Sequence, residues 1–352
     1  MRKVVFILFS LLVLSFTGKF TTTPYKFPEL KFFPRMPVAV KNPVTVEGVK
    51  LGRQLFYDPI LSIDRSMSCA SCHNQKSAFS DSPNSFSKGR NETTMRRNTM
   101  PLFNLAWYPA FFWDGRANSI EEQIFHPVRE YNEMNLEWKV AVDRIKKNKV
   151  YKTQFKQAFG NSKIDSVQIA FAIAQFLRTL ISYQSKYDQV ISGKTLFTKD
   201  EYQGFILVND QTKGDCIHCH ITDGDALGTT LVFSNNGLDA VVNANDYKDI
   251  GRGAVTGKTT DYGKFIVPSL RNLAFTSPYM HDGRFKTLEE VINFYSEGLQ
   301  QSATIDSKME FVHQGGAKLN SEEKKKIIAF LLTLSDSSFI SNPEFSIPIE
   351  SK

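Results

Sequence analysis

Two cysteine pairs dominate the chemistry open to this chain of 352 residues, Cys69-Ala70-Ser71-Cys72-His73 and Cys216-Ile217-His218-Cys219-His220. In C-x-x-C-H, one turn of chain presents two thiols for thioethers with the vinyl groups of a haem, and the next residue brings an imidazole to the iron. Two covalently attached haem c groups are therefore expected, with His73 and His220 as proximal iron ligands. A four-cysteine zinc site or a pair of redox disulfides would use the same cysteines, but each leaves the adjoining histidine unexplained. There are six histidines, so the sixth coordination positions fall to His126, His218, His281, His313, a methionine, a tyrosine or nothing. His218 lies inside its own attachment loop, and His313 reads as a surface residue in a glycine-flanked loop.

The elements that must position these groups are mainly helical. Val49, Leu51, Leu55 and Phe56 form an apolar face ending near Asp58-Pro59, and residues 137–158 and 166–182 read as two longer amphipathic helices. Ser119-x-x-Glu122, Thr198-x-x-Glu201, Thr287-x-x-Glu290 and Asn320-x-x-Glu323 have capping spacing, and each opens a helix. A loop-rich stretch covers 77–100, and a glycine- and asparagine-rich span, 220–267, is too long for an ordinary connection. The halves echo each other: after each cysteine pair comes an Asp-Gly-Arg turn (Asp114-Gly115-Arg116 and Asp282-Gly283-Arg284), then a capped helix. This implies a duplicated domain with a boundary near 195.

Composition narrows the partners. The formal charge is +7, but it is spread along the chain with no basic helical stripe or stacking platform, which excludes nucleic acid. Arg2 and Lys3 precede about 13 largely apolar residues, Val4 to Phe16, too few to span a bilayer comfortably. Residues 1–20 read as a secretory signal peptide, so the mature protein is expected in the periplasm with no membrane span. No Ala-x-Ala marks the cleavage site, leaving an uncleaved anchor as the alternative; no cysteine follows the run, which excludes a lipoprotein.

From Val44 to Leu334 the sequence resembles the bacterial di-haem cytochrome c peroxidase and MauG family. The resemblance rests on the two haem motifs joined by Arg97-Asn98, the Phe111-Phe112-Trp113-Asp114-Gly115-Arg116 turn, Glu121-Glu122-Gln123, Asn132-Glu133-Met134, Val267 through Asn272, and Thr276 through Gly283. It implies two cytochrome-c-like helical domains, 21–195 with the peroxide-reacting haem and 196–340 with the electron-entry haem, followed by a tail at 341–352. It further implies Trp113 between the haems, Gln123 and Glu133 as the distal pair over the first iron, and Ca²⁺ bound by Asn98, Thr276 and Pro278. A carboxylate in that pocket can shuttle a proton between peroxide oxygens, and amide and carbonyl oxygens suit Ca²⁺.

Two departures stand out. Many family peroxidases carry a histidine in the loop after the first motif, whereas residues 74–97 hold none, so the first haem is expected to be five-coordinate or water-bound at rest. Where the peroxidases use a methionine as distal ligand of the second haem, this chain has Tyr295, as MauG-type proteins do; Met280 or Met309 is the alternative ligand. The expected activity is reduction of hydrogen peroxide to water with electrons from a small cytochrome c or cupredoxin. The alternative is MauG-like oxidation of Trp or Tyr side chains of a partner protein. A non-catalytic electron carrier fits poorly with Gln123 and Glu133.

Overall fold

The computed structural model describes residues 21–160, 163–221 and 226–348; the expected signal peptide lies outside them. The first half is built on α1 (Val46–Tyr57), α2 (Ile120–Arg129), α3 (Trp138–Lys147), α4 (Lys149–Phe159) and α5 (Ser166–Thr179). The second contains α6 (Lys186–Ile191), α7 (Lys199–Asn209), α8 (Gly253–Thr256), α9 (Leu288–Asn293), α10 (Ser321–Thr333) and α11 (Ser337–Ser341). Phe233–Ser234 (β1) and Phe265–Ile266 (β2) pair antiparallel inside the long irregular span.

The capping residues read from the sequence start α2, α7, α9 and α10. At α2, Ser119 accepts from the Glu122 N–H, while the Glu122 carboxylate reaches past the cap to the Asn118 N–H at 2.8 Å. The helix expected over 137–158 is instead two, broken at Asn148. Its side-chain oxygen accepts from the N–H groups of Val150 and Tyr151, so it starts a new helix rather than continuing the old one. The helix expected to reach 182 ends at Thr179, where Leu180 leaves helical geometry.

α1 lies along α5, burying Leu51, Leu55 and Phe56 against Ile169, Ile173 and Phe176. Gly52 permits the approach, since a Cβ there would run into the Ala172 carbonyl. The second half repeats the device: α7 packs on α10, and a Cβ on Gly204 would strike the Lys326 carbonyl. Each half thus has a helix pair brought close by glycine.

The two cores cross the linear order of the chain. Tyr187, on α6 before residue 195, packs with Val208, Phe330 and Leu331 in the second core. Phe339 and Phe345, from the C-terminal end, return to the first core, where Phe339 meets Phe79 and Phe103 at ring separations of 5.8 and 6.1 Å. A buried polar knot fastens this return. Asp336 accepts from the N–H groups of Tyr183 and Gln184 at 2.9 Å and donates its own N–H to Asn272.

The repeated turns share their backbone. Phe111 bridges Ala117 and Tyr279 bridges Phe285; Phe112 and Met280 both have positive φ, as do Gly115 and Gly283. In this superposition Trp113 corresponds to His281. The two rings meet edge-to-face at 6.5 Å, across the seam between the halves.

Candidate functional site

The first cysteine pair opens onto a cavity of about 760 Å³, within the range of cofactor sites. Cys69–Ser71 form a single 3₁₀ turn, so the His73 N–H reaches the Cys69 carbonyl at 3.0 Å and the imidazole follows the thiols into the cavity. His73 Nδ1 lies 2.7 Å from the Phe79 carbonyl. That bond fixes the proton on Nδ1 and leaves the Nε2 lone pair for a metal. Ala78 and Phe79 both adopt left-handed backbone to aim the carbonyl, an uncommon arrangement for residues with side chains. Burial pushes His73 below the usual imidazole range, keeping it neutral and ligand-competent.

Trp113, Gln123 and Glu133 all face the same cavity. Gln123 comes from the first turn of α2 and Glu133 from the tight turn after it, where the Glu133 N–H donates to the Glu130 carbonyl. Burial, reinforced by Glu130 and opposed by Arg116, raises Glu133 to about 7. A carboxylate poised near neutrality exchanges protons in both directions, as a general acid–base group must. Trp113 is held at the seam by its Nε1, which donates to the Asn98 carbonyl at 2.8 Å.

The second cysteine pair builds the same turn, with the His220 N–H donating to the Cys216 carbonyl at 2.7 Å. Burial lowers His220 to about 4. Its Nδ1 is buried without a hydrogen-bond partner, although the Gly228 and Pro268 backbones lie near the ring. Across from this motif stands Tyr295, on a π-helical turn, Phe294–Gly298, that follows α9 directly. Such turns displace one residue from the helical register and often mark functional sites. The Tyr295 hydroxyl accepts from Asn236 Nδ2 at 3.0 Å, and burial raises the phenol to about 12. Met280 Sδ stands 3.7 Å from the same amide, and Met309 packs in the same cluster, so all three candidate distal ligands gather here.

The thiols of Cys69 and Cys216 are pushed up to about 12, and that of Cys72 to about 11, chiefly by burial. Thiols so protonated are poor disulfide nucleophiles. The pairs also sit against different cores, so the four sulfurs do not converge on one ion. Cavity, neutral imidazoles and paired thiols together fit haem.

Asn98 lies beside the 276–283 turn, its N–H donating to the His281 carbonyl at 2.7 Å. Its amide nitrogen donates to Ser85, leaving Oδ1 as the oxygen donor for a cation. The remaining histidines lie elsewhere. His126 packs edge-on to Phe112 at the end of α2, His281 stacks on Phe265, His218 pairs with Asp215 and His313 is exposed.

Sequence reasoning missed the groups that hold the seam. Arg97 is bidentate to Asp249 of the second half and also pairs with Asp114 at 2.6 Å, while Arg252 donates to the carbonyls of Asp114 and Gly115. It also missed Asn236, the partner of Tyr295. Only the unusual length of the 220–267 span signalled that it has such work to do.

Comparison with known proteins agrees with this geometry. Residues 46–196 match the family model described as di-haem cytochrome c peroxidase. The methylamine utilization protein MauG of Methylophilus methylotrophus is 34% identical over 307 residues, 85% of each chain. The cytochrome c551 peroxidase of Nitrosomonas europaea is 32% identical, covering 90% of this chain and 87% of its own. The crystal structure of a MauG-like protein associated with microbial copper homeostasis superposes with a TM-score of 0.84 at 33% identity, over 92% of this chain and 99% of the other.

Proposed function

This chain belongs to the di-haem cytochrome c peroxidase and MauG family, and from that premise we propose that it reduces hydrogen peroxide to water with electrons from a small cytochrome c or cupredoxin. The observation that carries this reading is Glu133, raised to about 7 and facing the cavity that also receives Cys69, Cys72 and His73.

Cys69 and Cys72 would hold one haem, with His73 as a ligand to its iron, and Cys216 and Cys219 the other, with His220. When bound, each supplies an iron centre that takes and gives single electrons. Glu133 takes a proton from one oxygen of hydrogen peroxide and returns it to the other, so that the departing oxygen leaves as water. Gln123 orients the peroxide through its amide, beside the apolar side chains of Ile124, Val128 and Met134 that line the same cavity. Two electrons from the donor and two further protons complete the reduction to two waters. Trp113, an oxidisable ring at the seam, links the two haem sites. Tyr295 would be a further protein ligand to the iron of the second haem, through the hydroxyl that Asn236 holds in place. Asn98 Oδ1 and the carbonyls of Thr276 and Pro278 would hold Ca²⁺, which would stiffen the seam. The protein works in the periplasm after removal of residues 1–20. Among the described residues no helix is long and apolar enough to cross a membrane.

A second reading, oxidation of aromatic side chains on a partner protein, is favoured by Tyr295 in place of the peroxidase methionine. The test is steady-state turnover of the di-haem protein with peroxide and reduced cytochrome c, before and after Glu133→Ala. Fast turnover lost in the variant supports the peroxidase, and negligible turnover in both supports the second reading.

A further inference from the structure

The charges around the first cavity do not balance. Four cationic side chains line it: Arg96, Arg97, Arg116 and Lys248. Arg97 is taken up by Asp249 and Asp114, and Arg116 pairs with Asp114 at 3.0 Å while its guanidinium stacks on Phe112 at 3.5 Å. Arg96 and Lys248 make no ion pair or side-chain hydrogen bond among the described residues. Both are exposed at the rim, so each reaches the cavity edge while keeping its charge in water. Two unmatched cations thus stand at the mouth of a cavity expected to receive a haem, and a haem carries two propionates.

We propose that Arg96 and Lys248 are the propionate partners of the first haem, one supplied by each half of the molecule. This rests on the reading that the cavity holds the haem attached at Cys69 and Cys72. Arg96 suits a two-pronged grip on a carboxylate, and Lys248 acts as a point charge. Lys248 is adjacent to Asp249, which holds Arg97, and Arg97 precedes Asn98, whose carbonyl anchors Trp113. The propionates therefore join the same bridge that fixes the seam, and loading the first haem tightens the contact between halves. Sequence gave no pointer to Lys248, which lies 175 residues beyond His73.

The test uses the holoprotein with both haems, comparing wild type with Arg96→Gln, Lys248→Gln and Lys248→Arg, and with Lys146→Gln as a control for net charge. Mass spectrometry first establishes haem on Cys69 and Cys72. Redox titration followed optically, together with resonance Raman of the propionate bending modes, is then run across neutral pH. Each Gln variant is expected to shift the first haem's midpoint potential downward, because a cation that opposed oxidation of the iron is gone. It should also move the propionate mode and leave the second haem unchanged. Lys248→Arg keeps the wild-type values. Unshifted potentials and Raman modes in both Gln variants, or an equal shift in Lys146→Gln or Lys248→Arg, would overturn the proposal. A chain without haem mass on Cys69 and Cys72 would instead overturn the reading beneath it.

Discussion

Glu133→Gln separates what burial costs from what the carboxylate does. In the folded protein Glu133 is raised from 4.5 to about 7, first by burial and second by Glu130. Holding the ionised form there costs roughly 3 kcal/mol, at about 1.4 kcal/mol for each tenfold change in proton affinity. Because the folded state binds the proton more tightly than the unfolded state, this cost is absent below the ordinary glutamate range. It grows as pH rises towards 7 and is constant above it. Glutamine has the same shape and no charge to desolvate. Glu133→Gln should therefore raise the unfolding free energy at pH 8 by up to about 3 kcal/mol and change it little at pH 4, while abolishing peroxide turnover. Positive charge on a bound iron lowers that ceiling. The assay is urea unfolding of the di-haem protein at both pH values, beside steady-state turnover. A variant equally stabilised at both, or destabilised at pH 8, would refute the assignment of a desolvated carboxylate.

Other outcomes follow from the same site and from the packing. Glu130 raises Glu133 and Arg116 lowers it, so Glu130→Gln should move the acid limb of the kcat/KM profile to lower pH and Arg116→Gln to higher pH; displacement in the same direction would contradict the geometry. Tyr295→Phe should alter the absorption and electron paramagnetic resonance spectra of the second haem while Met280→Leu leaves them intact, and the reverse would make Met280 the ligand. Phe339→Ala should cost about 3–5 kcal/mol in urea unfolding, because the ring fills the first core from the far end of the chain. A loss below about 1 kcal/mol would show that the core closes without it.

Legibility in the sequence followed the range of the interaction. Ser119, Thr198, Thr287 and Asn320 could be read as helix starts because a cap acts over three residues. The haem motifs could be read because thiols and imidazole must be neighbours along one turn. The break at Asn148 was within reach of the same reasoning, yet the apolar period continues on both sides of it and masked the cap. Gln123, Glu133 and Asn98 are ordinary polar residues until a cavity or a seam gathers them, and they were found through resemblance to a family rather than through spacing. Arg97 with Asp249, Asn236 with Tyr295 and Phe339 with Phe79 join residues far apart in the chain, and nothing local marks them.

The return of Phe339 and Phe345 to the first core inverts the order of manufacture. A chain made from its N-terminus has Cys69, Cys72 and His73 long before it has the aromatic rings that close the wall behind them. The half synthesised first is thus the half completed last. While the C-terminal end is still missing, the cavity beside Cys69 and Cys72 is backed by an unfinished interior. Arrival of the final residues, with Arg53 gripping the carbonyls of Pro343 and Ser346, then latches the door.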